Sequence, residues 1–167
     1  MAKKAKSGAV TRDIAAAGSN GSAGTPSSGP GFLLWQVSNH WQRTLRQALG
    51  PFNITHVQYI LLSGIAELEA MGEEVTQARL AQQCRTDVMM TSQVVRTLEA
   101  AGLVERHDHP TDRRAKRLVL TAEGLDKLNQ ATPAVLDADE NFFSALGKKQ
   151  GKLIKHLATL GDSERPV

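Results

Sequence analysis

Apolar positions along this chain fall into stretches of helical spacing, parted by short polar or glycine-containing joints. From Phe32 to Leu49, apolar Leu34, Val37, Trp41, Leu45 and Ala48 recur three and four residues apart, which predicts a helix with one apolar stripe. Gly50-Pro51 stops it. Thr55 and Gln58 then form a capping-box pattern ahead of Ile60, Leu61, Ile65 and Leu68, a second helix ending near Met71-Gly72. Thr76 is a candidate N-cap for a short third helix carrying Leu80, Ala81 and Cys84. A fourth runs from about Asp87 to Ala101, with Val94, Val95 and Leu98 facing inward and Gly102 as its stop.

The pattern then changes. Leu103-Val104 and Leu118-Val119-Leu120 read as two short strands, joined by a basic tip from Arg106 to Arg117 with Pro110 and Asp112 as turn residues. Thr121 can cap a long helix to about Leu146, with Leu125, Leu128, Val135, Phe142 and Phe143 as its apolar positions. Pro133 lies inside that run and predicts a kink or an interruption. A last helix from Lys148 to about Leu160 should bury Leu153, Ile154, Leu157 and Leu160, although its basic first turn opposes the helix dipole.

Helix, turn, helix and charged ribbon, in that order, make a winged helix-turn-helix: mainly α with a small β-hairpin wing. The winged core spans 55–121. Apolar-striped helices at 32–50 and 122–160 bracket it, and pairing of these helices between two chains would set two recognition helices at a fixed spacing. Residues 1–31 are rich in Gly, Ser, Ala and Pro and hold too few apolar side chains to offset ordering entropy; they read as a disordered tail. Residues 161–167 read as a flexible C-terminus.

Charge sharpens this picture through its location. The whole net charge of +3 sits in the tail, where Lys3, Lys4, Lys6 and Arg12 face only Asp13, so the remainder is neutral. Within that neutral body, Arg106, Arg113, Arg114, Lys116 and Arg117 crowd one hairpin against Asp108 and Asp112. A focused basic tip on a neutral body suits docking to an anion such as a phosphate backbone. An aromatic content of 4% argues against a stacking platform for single strands. No apolar run approaches the ~20 residues of a membrane span, and no signal segment is present. The lone Cys84 excludes an internal disulfide and fits a reducing compartment, so the expected location is the cytoplasm, at the nucleoid.

A helix that reads DNA offers short polar and basic side chains near its N-terminus. The expected set is Met89, Met90, Ser92, Gln93 and Arg96, with Thr97 beside them. Gln93 can pair with adenine, Ser92 with a base or phosphate, Arg96 with phosphate or guanine, and Met90 can touch a thymine methyl. Arg113 and Arg114 at the ribbon tip can enter a minor groove, with Lys116 behind them. Asp112 suits an internal role, orienting an arginine of the wing or of the preceding helix.

The run TLEAAGLVERHDHPTDRRAKRLVLTAEG resembles the MarR family of bacterial transcriptional regulators, through L-E-x-x-G-L-V-x-R, P-x-D-x-R and L-T-x-x-G in order. The likeness extends upstream through T-x-x-Q-Y at Thr55 to Tyr59. It implies a homodimeric winged helix with its terminal helices at the dimer interface. It also implies a pseudo-palindromic double-stranded DNA operator and Asp112 with Arg114 as a wing pair. Met89-Met90 depart from the small or hydroxylated residues common there, so base preference does not transfer. Many such proteins are repressors released by a small aromatic or phenolic inducer held between the dimerisation helices and the winged domain. Trp35, His40, Trp41, His56 and Tyr59, with Arg43, are the positions here for such a crevice; alternatively Trp41 is core and the two histidines are surface or capping residues. Oxidant-sensing relatives carry a cysteine near the start of the first helix, where this chain has none, and Cys84 reads as a buried, inert thiol. The cluster His107, Asp108, His109 and Asp112 lacks regular metal-ligand spacing, so no metal or cofactor is expected. No phosphate loop, H-E-x-x-H or G-x-S-x-G occurs, which argues against an enzyme. The competing reading is a winged module for architectural DNA binding or protein contacts, without an inducer.

Overall fold

The computed structural model describes residues 29–109 and 115–162. Helix α1 (Pro30–Leu49) begins two residues before the expected Phe32, because Pro30 has a φ already suited to the first helical turn. A 3-10 turn, Gly50–Phe52, follows it, and Asn53 leaves that turn with φ of 55°. Helix α2 (His56–Ala70) starts on the full Thr55–Gln58 capping box. Helix α3 (Gln77–Cys84) starts on Thr76, whose side chain accepts from the Arg79 amide. Helix α4 (Val88–Ala100) starts on Asp87, which accepts from the Met90 amide. Each cap meets an amide that the helix itself leaves without a partner.

Strands β1 (Val104–Asp108) and β2 (Lys116–Leu120) pair antiparallel, with Val104 opposite Leu120 and Asp108 opposite Lys116. Local pattern did not predict the short third edge of this ribbon. The Leu118 amide donates to the Val75 carbonyl at 2.7 Å, and Thr76 bridges to Arg117. Helix α5 (Ala122–Phe143) is capped by Thr121 and runs unbroken through Pro133, so the expected interruption does not occur. Pro133 and Asn129, whose carbonyl loses the helical donor, both lie on the exposed face where water can replace it. The helix stops at Phe143, three residues short of the expected Leu146. A 3-10 segment, Ser144–Lys149, bends at Gly147 and leads into α6 (Gln150–Gly161).

The chain divides into two units after His40. In the first, the opening turns of α1 set the Phe32 and Trp35 rings 5.8 Å apart. Leu33, Leu34, Trp35 and Val37 are exposed there, so the apolar stripe of α1 is buried only in its C-terminal half, at Leu45 and Leu49. In the second unit, Leu45, Leu49, Leu61, Leu62, Ile65, Leu68, Val75, Leu80, Val95, Leu98 and Leu118 form one core. Two further expectations fail. Leu125 is exposed on α5, and α6 buries none of its apolar residues: Ile154 is 60% exposed and Leu160 64%. A helical stripe shows that a face is apolar; it does not show that the same chain covers it.

Candidate nucleic-acid interface and ligand cleft

The joint between α3 and α4 sets how α4 is presented. Arg85 turns the chain in the left-handed region (φ 50°), a conformation that costs a non-glycine residue energy. The Thr86 amide donates to the Ala81 carbonyl at 2.9 Å, closing α3. Thr91 is the buried polar residue among the described residues, and its hydroxyl donates to the Asp87 carbonyl at 2.8 Å. With that proton committed, the 2.8 Å contact between the Thr86 and Thr91 hydroxyls has Thr86 as donor. At the far end, Gly102 (φ 72°) donates to Glu99 and Leu103 donates to Leu98, turning the chain directly into the ribbon.

Helix α4 buries Thr91, Val95 and Leu98 and leaves Gln93, Arg96 and Thr97 exposed. Val94, expected inward, is half-buried. At its first turn Met89 is 80% exposed, whereas Met90 and Ser92 are half-buried. Arg96 reaches back to the Ser92 hydroxyl at 3.4 Å. Ser92, Arg96 and Lys116 line one groove of about 540 Å³ with Arg106, Thr76 and Gln77, so the structure joins α3, α4 and the ribbon into a single concave face.

Much of the charge on this face is paired within the protein. Arg106 meets Glu99 at 2.6 Å, tying β1 to α4, and His109 meets Glu74 at 3.0 Å. Lys116 pairs with Asp108 across the ribbon, and this ammonium holds the Asp108 carboxyl below the usual carboxylate range. Arg79 forks onto Glu73 at 2.6 and 3.0 Å, which lowers the Glu73 carboxyl likewise. Asp112, Arg113 and Arg114 lie outside the described residues. Sequence reasoning missed Gln77, for which the Thr76 cap, starting a helix beside the groove, was the available signal; Arg106, counted in the basic tip, lines the groove as well.

Three of the expected ligand-lining residues come together elsewhere. Trp41, His56 and Tyr59 line a cleft of about 450 Å³ with residues of α3 and α5, among them Cys84, Val135 and Asp139. The Trp41 indole donates to Asp139 at 2.6 Å and meets the His56 ring edge-on at 4.9 Å, and the Tyr59 hydroxyl contacts the Thr132 hydroxyl at 3.3 Å. Burial lowers the His56 pKa from its ordinary 6.5, partly opposed by the Asp139 carboxylate, so the ring is neutral at pH 7. Cys84 is half-buried rather than enclosed, with its thiol 3.6 Å from the Ile60 carbonyl. Burial, aided by Glu67, raises the thiol's pKa, which opposes thiolate formation. Trp35 and His40 belong to the first unit, where Trp35 is exposed.

A short helix, a capped turn and a polar-faced helix beside a two-stranded charged ribbon define a winged helix-turn-helix protein. Known proteins agree. A model of the MarR family matches residues 54–116. YdcH, an uncharacterised HTH-type transcriptional regulator of Bacillus subtilis (strain 168), is 44% identical over 137 residues, covering 78% of this chain and 93% of its own length. The chain belongs to the MarR family of transcriptional regulators. Its fold is that of BpsR from Bordetella bronchiseptica, in a structure concerned with regulation of DNA binding by 6-hydroxynicotinic acid. That match has a TM-score of 0.76 and 18% identity, over 83% of this chain and 96% of that one. A mutant MarR from E. coli complexed with operator DNA matches with a TM-score of 0.68 and 24% identity, over 77% and 90%. No helix of the described residues is long and apolar enough to cross a membrane.

Proposed function

We propose that this regulator is a homodimeric, sequence-specific reader of double-stranded DNA that acts as a repressor and is released by a small aromatic ligand. The observation that carries the DNA reading is the concave face where the exposed side of α4 adjoins the ribbon. Gln93 reads adenine, Arg96 takes phosphate or guanine, and Ser92 orients Arg96. Met89, exposed where Met90 is half-buried, meets a thymine methyl in place of Met90. Arg113 and Arg114 contact the minor groove and Asp112 orients an arginine of the wing or of the preceding helix, while Lys116 contributes only in competition with Asp108. The uncovered apolar residues of early α1 and of α6 support a dimer of 32–160 bodies. Such a regulator acts at the nucleoid in the cytoplasm and catalyses no step. The cleft at Trp41, His56 and Tyr59 is the ligand site that this reading requires. The structures of a relative with operator DNA and of one regulated by 6-hydroxynicotinic acid support the pairing of DNA and ligand.

Selection of bound duplexes from a random pool tests the reading. The expected product is a pseudo-palindrome with half-sites about one helical turn, ~34–36 Å, apart. Uniform binding to all duplexes with a full salt dependence would instead favour an architectural role.

A further inference from the structure

The cleft beside Trp41 is unusual in its charge. Its lining includes two carboxylates, Asp139 on α5 and Glu67 on α2, and no lysine or arginine among the described residues. The remaining titratable groups there are Tyr59, Cys84 and His56. His56 is neutral at pH 7, because burial disfavours its protonated form, and Cys84 resists becoming a thiolate. The cleft therefore carries negative charge with no compensating cation among its walls.

The carboxylates are held in place through one oxygen each. Oδ1 of Asp139 accepts the Trp41 indole proton at 2.6 Å, and Oε2 of Glu67 accepts from Gln83 at 3.3 Å. The aromatic surfaces of Trp41 and Tyr59 line the same space. Indole and phenol faces attract cations, and the partial burial of Trp41, Tyr59 and Asp139 strengthens their attraction, whereas Glu67 stands exposed at the rim and contributes a screened charge. The same walls repel a carboxylate ligand, which would lose its hydration and gain no ion pair. A volume of about 450 Å³ suits a one- or two-ring ligand.

We propose that this cleft takes an aromatic organic cation, a protonated aryl-alkyl amine, with its ring against Trp41 and Tyr59 and its ammonium between Asp139 and Glu67. The inference rests on the reading of the cleft as the ligand site. It departs from aromatic acids as the ligand class, because nothing in the cleft can neutralise a carboxylate.

The test uses the full chain carrying Trp35→Phe, which leaves Trp41 as the fluorescent reporter. Two probes of equal ring size, 2-naphthylmethylammonium and 2-naphthoate, are titrated at pH 7. The cation should bind at least about tenfold more tightly. Asp139→Asn, which keeps an acceptor for the indole, and Glu67→Gln, which keeps one for Gln83, should each reduce the preference severalfold, and together they should abolish it. Equal or tighter binding of naphthoate, a preference that survives both substitutions, or failure of the naphthylmethylammonium cation to bind would overturn the proposal. Operator binding measured without any probe tests the regulator reading separately, and its loss would leave the ligand preference still measurable by fluorescence.

Discussion

Replacing Thr91 by valine removes a hydroxyl at the joint that aims α4, while keeping shape and volume nearly constant. Thr91 is fully buried, its hydroxyl donates to the Asp87 carbonyl at 2.8 Å, and it accepts from Thr86 at 2.8 Å. The Asp87 carbonyl still receives the Thr91 amide at 2.8 Å, so it is not orphaned. Thr86 is half-buried and recovers part of its loss from water. Two hydrogen bonds at about 0.5–1.5 kcal/mol each, offset by about 0.8 kcal/mol for a newly buried methyl, leave a net destabilisation of about 1 kcal/mol. Urea unfolding followed by circular dichroism, at fixed protein concentration because a dimer's midpoint depends on it, measures this. Thr86→Val and the double variant complete a cycle whose coupling should be about 0.5–1.5 kcal/mol. Operator affinity should fall in Thr91→Val as well, since Asp87 caps the helix proposed to read the bases. Strict additivity of the two substitutions would refute the chain of hydroxyls, whatever the size of each single effect.

Three other outcomes are expected. Gly124→Ala adds a methyl that would overlap the Leu103 carbonyl oxygen and lie 3.0 Å from its carbon, forcing α5 away from the base of the ribbon. Overpacking of about 1–3 kcal/mol should exceed the helix-propensity gain of at most about 1 kcal/mol, so a urea midpoint at or above wild type would count against the packing described. Uracil in place of thymine at the base facing Met89 should weaken operator binding by about 0.8 kcal/mol, roughly fourfold. Met89→Ala should erase that difference, and an equal uracil effect in both proteins would place the methyl against another side chain. His56 has a folded pKa below its ordinary 6.5, so as pH falls below about 6.5 the unfolded chain takes a proton that the fold resists. Stability should therefore decline on acidification from that point, and less steeply in His56→Gln; parallel thermal-melting curves from pH 7 to 5 would contradict the burial of this ring.

Features written in adjacent residues were legible without coordinates. Thr55, Thr76 and Thr121 each stand before an apolar-periodic run, and each caps its helix, because a cap bonds an amide only three positions ahead; Asp87, read as the first residue of its helix, is instead the cap of α4. Gly102 was legible for the same reason, since the left-handed stop it provides is a local backbone demand. The meeting of α4 with the ribbon also followed from order along the chain, and with it the candidate interface at Gln93 and Arg96. The internal pairing of that interface did not follow. The charge count set Asp108 against the basic tip as a whole but could not assign it to Lys116, nor foresee Glu99 on Arg106, because register and the packing of β1 against α4 decide which acid each one meets.

The sequence by itself thus determined a capped helix-turn-helix, a charged ribbon and apolar stripes on the helices at either end, since caps, turns and periodicity act within a few residues. Tertiary structure alone decided what those pieces touch. It set the indole of Trp41 on the carboxylate of Asp139, 98 residues away. It drew Val75 to the ribbon's edge and left Ile154, Leu157 and Leu160 of α6 exposed. Such contacts depend on how whole elements pack, and a stripe or an isolated acid is compatible with many packings. The charge of the cleft beside Trp41, on which its proposed chemistry turns, belongs to that second kind of information.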